Sequence, residues 1–234
     1  MPSPNPASDG YSMLRNARTF LFDFDGTLAP NLDLPDMRRR VLALTDTYGV
    51  PAAVYQGQYI VEVIIHAGAW LSQRDRKTAE EYVLQAHTLI LNIELDAAAR
   101  TQPFAHTRSV LQDLKELGCQ NVIVTRNCAE AIQMVFPDML DYVAAALPRG
   151  AVEWLKPDPR HLSEALVRIN ADPASAVMVG DGAMDMTCGK KLNLYCVGVL
   201  TGSSDRIRLQ DAGADLVLDD ISALVALVGE ERQR

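Results

Sequence analysis

Phe20-Leu21-Phe22-Asp23-Phe24-Asp25-Gly26-Thr27-Leu28 joins an apolar run to two carboxylates two residues apart, and then to a turn. An apolar run of this length, closed by turn residues, reads as a strand buried on both faces, the kind found in parallel sheets. In open α/β sheets the functional crevice lies outside the carboxyl ends of the strands. Asp23 and Asp25 therefore stand where chemistry is usually done. Two carboxylates at a buried strand end repel each other and lose hydration, and a divalent cation is the simplest partner that makes such a pair tolerable.

Three further stretches follow. Asn121-Val122-Ile123-Val124 runs into Thr125, Lys156-Pro157 sits in a loop, and Ala176-Val177-Met178-Val179 runs into Gly180-Asp181-Gly182-Ala183-Met184-Asp185. Singly, each reads as a strand end or a turn. In this order, on these kinds of element, they resemble the four motifs of the haloacid dehalogenase superfamily, whose members are mostly Mg²⁺-dependent phosphatases. The resemblance spans roughly residues 18–228.

That resemblance implies a role for each residue. Asp23 is the nucleophile that forms an aspartyl-phosphate, and Asp25 is the general acid and base. Thr125 offers its hydroxyl to a phosphoryl oxygen, and Gly26 and Arg126 offer backbone N–H groups. Lys156 supplies positive charge against Asp23 and the phosphate. Mg²⁺ is expected on Asp23, on the main-chain carbonyl of Asp25 and on Asp181. Asp185 is expected to orient Lys156 or a metal-bound water.

The rest of the chain reads as alternating elements around one insertion. Residues 1–16, with Pro2, Pro4, Pro6 and Gly10, read as a flexible tail. Helices are predicted at 36–48 with Asp36 as N-cap, at 56–71 and at 76–95, with no strand signal between 36 and 96. A crossover needs only about a dozen residues, so this stretch resembles the helical cap that many members of the superfamily insert after the first motif. His66, after Ile64-Ile65, reads as a core or boundary histidine. Helices at 106–117, 128–135, 159–169, 183–191, 203–212 and 221–228 then alternate with strands at 121–125, 142–147, 176–180, 194–199 and 215–218. The fold class is α/β, a doubly wound parallel sheet with a small all-helical second domain. The expected division is a core of residues 17–30 and 103–234 and a cap of residues 31–102.

The totals bound the partners. A net charge of −8 over 234 residues argues against a nucleic-acid binder or an anionic-membrane binder. No apolar run approaches the roughly 18 residues of a membrane span, and the N-terminus lacks a signal-peptide layout. Cys119, Cys128, Cys188 and Cys196 show no zinc-ligand spacing and read as buried thiols of a cytoplasmic protein. A small phosphorylated metabolite is the expected substrate, and a monomer or homodimer the expected state.

Within the superfamily, the order of core strand, helical insertion and core is similar to the phosphoglycolate phosphatase and β-phosphoglucomutase group. Asp25 argues against a dehalogenase or a phosphonatase, which lack that second acid. Ala29-Pro30-Asn31 stands where this group usually carries Asp-Ser, so no single substrate is implied. A monoester phosphatase is the leading expectation. A phosphomutase, a pyrophosphatase and a nucleotidase are the alternatives. Receiver domains use similar residues, but their acceptor Asp ends the third strand, not the first.

Overall fold

The computed structural model describes residues 13–229, so the predicted tail lies outside the described residues up to position 12. Residues 13–16 form a helical turn rather than tail, because Leu14 is fully buried and anchors it.

Six strands make one sheet: β1 (Thr19–Phe22), β2 (Gln120–Cys128), β3 (Ala145–Arg149), β4 (Ala176–Gly180), β5 (Tyr195–Val199) and β6 (Leu216–Leu218). Their spatial order is β3-β2-β1-β4-β5-β6, and every pairing is parallel. The order runs outward from β1 in both directions, so the topological switch lies beside β1, where ligands bind in such sheets. Leu21 aligns with Val122 on one side and Met178 on the other, and all four β1 residues are buried.

Helices follow the strands as a doubly wound fold requires. They are α4 (Thr107–Glu116), α5 (Ala129–Val135), α6 (Arg160–Arg168), α7 (Ala183–Lys190), α8 (Arg206–Asp211) and α9 (Ala223–Gly229), after α1 (Leu34–Thr47), α2 (Ile60–Ser72) and α3 (Arg76–Ala98). One face of the sheet, carrying Leu21, Val122, Val124, Met178 and Cys196, packs against Leu162 and Leu166 of α6, Met186 of α7 and Leu209 of α8. Right-handed crossovers place α4 and α5 on the opposite face, and α9 packs with α4.

Residues 32–97 form one compact unit, and the described residues up to 31 and from 98 onward form the other. The first unit contains α1, α2 and α3 around Val41, Ile64, Tyr82 and Ile90. The Tyr82 hydroxyl shares a 2.9 Å hydrogen bond with Thr45 Oγ1. His66 is exposed, contrary to the core reading, because helical periodicity turns Val63, Ile64, Ala67 and Leu71 inward and 65–66 outward. No helix among the described residues is long and apolar enough to cross a membrane.

Several boundaries differ from expectation for local reasons. Asp33, not Asp36, caps α1, accepting from Asp36 N–H at 2.9 Å, and Pro35 sits in the first turn where a missing N–H costs nothing. β3 starts at Ala145 rather than Tyr142, since Tyr142 and Val143 give their N–H groups to Met139 O in a 3₁₀ turn. β2 continues past Thr125 to Cys128 through a register shift after Val124. The Asn127 N–H turns back onto Thr125 Oγ1 at 3.0 Å instead of joining the ladder. Such bulges recur beside active sites.

Leu21→Ala removes three carbons from a position packed on both flanks. Its expected cost is about 2–5 kcal/mol, read as a lower urea midpoint at nearly unchanged m; a loss under about 1 kcal/mol would show that the site collapses around the cavity.

Candidate active site

The site gathers at the carboxyl ends of β1, β2 and β4. The Asp23 N–H still donates to Val179 O at 2.9 Å, so the ladder holds the residue one step beyond β1. The chain then turns at Gly26, whose φ of +82° lies in the left-handed region that favours glycine. Phe24 O accepts from the N–H groups of Thr27, Leu28 and Ala29, which closes a tight loop. The Gly26 N–H, expected on a phosphoryl oxygen, is instead given to Ala29 O at 2.6 Å. A side chain at Gly26 would also press a Cβ to 2.6 Å from the Asp181 carboxyl carbon, so glycine serves both the turn and the close approach.

Lys156 is fully buried, and its Nζ lies 2.9 Å from Asp23 Oδ1 and 2.6 Å from Asp185 Oδ1. Asp23, Asp181 and Asp185 each offer a carboxylate oxygen within 4.8 Å of the others'. Of the expected metal ligands Asp23, Asp181 and the Asp25 main-chain carbonyl, the two carboxylates stand in this acidic group, which Asp185 joins; the Asp25 carboxylate lies outside it and sits on Asn127. Asp181 Oδ2 accepts from Ser203 N at 2.6 Å, Ser203 Oγ at 2.9 Å and Asn31 Nδ2 at 3.4 Å. Asp185 Oδ2 accepts from Gly182 N at 3.1 Å, which caps α7. Carboxylate oxygens this close, at the mouth of a parallel sheet, are the hard donors that a small divalent cation takes.

The family profile of the haloacid dehalogenase-like hydrolases matches residues 20–199. The chain belongs to that family. Among relatives, this hydrolase is 26% identical over 217 residues to a phosphoglycolate phosphatase of Psychrobacter arcticus, covering 88% of this chain and 93% of that one. It is 27% identical over 216 residues to the pyrophosphatase PpaX of Bacillus cereus, covering 91% and 96%. A solved structure from Bacteroides vulgatus, named by inference a β-phosphoglucomutase, has the same fold, with a TM-score of 0.68 at 18% identity over 95% of this chain and 99% of that one.

The hydrolase's site carries more negative than positive charge. Burial pushes the Asp185 carboxyl up, and the Asp23 charge adds to that, against the pull of Lys156; the result is about 7. Burial and the Asp23 charge also raise Asp181, although Ser203 and Asn31 oppose them. Burial alone would lower the Lys156 ammonium, yet Asp185 and Asp23 outweigh it and hold it above its ordinary value. Raised lysine and raised aspartate pull the pair's balance in opposite directions. Both hold because one ammonium is shared by two carboxylates with a third nearby, so the cation gains while each anion remains under-compensated.

Four positions escaped the sequence reading. Asn127 Nδ2 lies 3.2 and 3.1 Å from the two Asp25 carboxylate oxygens. Its offset from Thr125 within one strand end was the available signal. Buried His161 takes the Lys156 N–H on Nδ1 at 3.2 Å and gives Nε2–H to Leu147 O at 3.0 Å, a pairing that sets its tautomer. Burial first, then Lys156, push its pKa down to about 3, so it stays neutral. Ser203 and Gly202 clasp Asp181; a Cβ on Gly202 would fall 2.0 Å from Asp181 Oδ2. Residues 203–204, expected in α8, are drawn off to this clasp, and Asp205 caps the helix through Arg208 N–H. The Arg126 guanidinium donates to Lys156 O, and Arg149 Nη1 donates to Arg126 O at 3.0 Å. Both arginines thereby brace the Thr125 and Lys156 segments.

Charge crowding has a pH signature. The unfolded chain titrates Asp185 near about 3.9, and the folded chain near about 7. The folded state binds that proton more tightly, so the contribution is stabilising at low pH and is lost as pH rises through this window. With divalent cations chelated, the melting midpoint of the wild type minus that of Asp185→Asn should fall between pH of about 4 and about 7. A difference that rises instead contradicts the crowding.

Proposed function

We propose that this hydrolase is a Mg²⁺-dependent phosphatase of small phosphate monoesters that works through an aspartyl-phosphate on Asp23. The observation that carries the reading is the Asp23 carboxylate, 2.9 Å from a buried ammonium and grouped with Asp181 and Asp185 at the switch point of the sheet. An Asp23 oxygen attacks phosphorus in line, the bond from phosphorus to the alcohol oxygen breaks, and Asp25 gives its proton to the departing alkoxide. Asp25, now a carboxylate, takes a proton from water. The resulting hydroxide attacks phosphorus, releases phosphate and restores Asp23.

Thr125 accepts the Asn127 N–H on its oxygen, so its hydroxyl proton is available for a phosphoryl oxygen. Arg126 contributes its backbone N–H to the same group. Lys156 lowers the repulsion between the Asp23 anion and an anionic phosphate, a barrier that makes uncatalysed hydrolysis extremely slow. Asp23, Asp181 through Oδ1, and the main-chain carbonyl of Asp25 would hold Mg²⁺, which when bound adds positive charge against the phosphoryl oxygens. Asp185 keeps Lys156 in place. Residues 32–97 are read as the cap that selects the leaving group. Four cysteines without a disulfide support a cytoplasmic setting.

The Psychrobacter arcticus relative supports a small organic phosphate as substrate. The Bacillus cereus relative favours a second reading, pyrophosphate hydrolysis at the same residues. Release of phosphate from a panel of sugar phosphates, nucleotides, phosphoglycolate and pyrophosphate with Mg²⁺ separates the two. Phosphate release without a bisphosphate activator separates both from a mutase.

Asp23→Asn should lower turnover on the order of 10⁴-fold or more with an unchanged circular dichroism spectrum; undiminished phosphate release would remove Asp23 as nucleophile. Chelation should abolish activity and added Mg²⁺ restore it, and phosphate release indifferent to EDTA would reject the metal.

A further inference from the structure

We infer that Asn127 is a positioning residue that helps keep Asp25 competent both as an acid and as a base; the inference rests on the phosphatase reading above. Asn127 is 5% exposed and lies on β2 beyond Thr125. Its Nδ2 spans both Asp25 oxygens, at 3.2 and 3.1 Å, across 102 residues of chain.

The orientation of the carboxamide is set from its other end. Oδ1 accepts the Cys128 N–H at 2.8 Å, so exchanging the amide's nitrogen and oxygen would oppose two donors there and two acceptors at Asp25. The Asn127 N–H is held by Thr125 Oγ1 at 3.0 Å. One residue thus ties the acid beyond β1 to the Thr125 hydroxyl of β2.

The choice of an amide has a chemical reason. An ammonium or guanidinium at this place would favour the carboxylate over the acid and weaken proton donation. A neutral N–H donor binds either form: both oxygens of the anion, or the carbonyl oxygen of the acid while the O–H faces the leaving group. An N–H of that kind serves a side chain that must hold a proton in one half-reaction and lack it in the next. Loss of the amide removes the two contacts that hold the plane of the Asp25 carboxylate from this side, and misorientation of a proton donor alone lowers rate.

The test uses the leaving group. Nitrophenolate departs without protonation, whereas an alkoxide does not. The ratio kcat/KM covers steps up to alcohol release, so it reports Asp25 as an acid. Asn127→Ala should lower kcat/KM about 10–100-fold for the best alkyl phosphate of the substrate panel, and by less than about threefold for p-nitrophenyl phosphate. Asn127→Ser adds no charge beside Asp25 and withdraws the amide donor. It should show the same discrimination, and it covers a failure of the alanine variant to fold. Asp25→Ala is the control. If Asp25→Ala slows both esters equally, the acid assignment itself fails. If Asp25→Ala discriminates while the Asn127 variants slow both esters equally, or neither, Asn127 does not position the acid and the inference is overturned.

Discussion

A single ammonium, sealed from water, governs the site. Lys156 bonds Asp23 and Asp185 together, and neither carboxylate could be held so deep without it. Desolvating an unpaired ion costs several kcal/mol, so the pairings have to form as the chain folds. The three elements that bring them together are the end of β1, the loop before α6 and the first turn of α7. The sheet places two of these: β1 and β4 are neighbours, with Phe22 beside Val179, so Asp23 and the Gly180–Asp185 turn emerge side by side.

The remaining charge is what makes the arrangement reactive rather than merely stable. Asp181 is gripped on one oxygen by the 203 backbone, the 203 hydroxyl and Asn31, and its neighbours still push its proton affinity upward. Protein donors alone therefore do not neutralise the cluster. A hydrolase of this family that handles an anionic group meets the same deficit twice, once in its own carboxylates and again in its substrate. Positive charge brought to the cluster would relieve both.

Much of this was legible from residue order. The β1 run, the strand–helix alternation and the carboxylates at strand ends follow from hydrophobic patterning, because burial on both faces leaves few other readings for Phe20–Phe22 or Val177–Val179. The acids and Lys156 could be singled out because they resemble spaced motifs. The supporting residues could not. His161 reaches Lys156 through its backbone, Ser203 reaches Asp181 from a loop expected to be helix, and Asn127 reaches Asp25 across two strands. Each contact depends on three-dimensional register, which periodicity does not encode. The same register moved boundaries: Asp33 displaced Asp36 as cap, and the bulge after Val124 lengthened β2.

His161 has a consequence for how the hydrolase tolerates acid. Its imidazole stays neutral down to about pH 3, well below the range in which Asp185 takes up its proton. The scaffold under Lys156 is therefore blind to the titration happening at the lysine's tip. Mild acidification can discharge Asp185 while the backbone hook that presents the amine stays fastened, so a return to neutral solution finds the framework already in place.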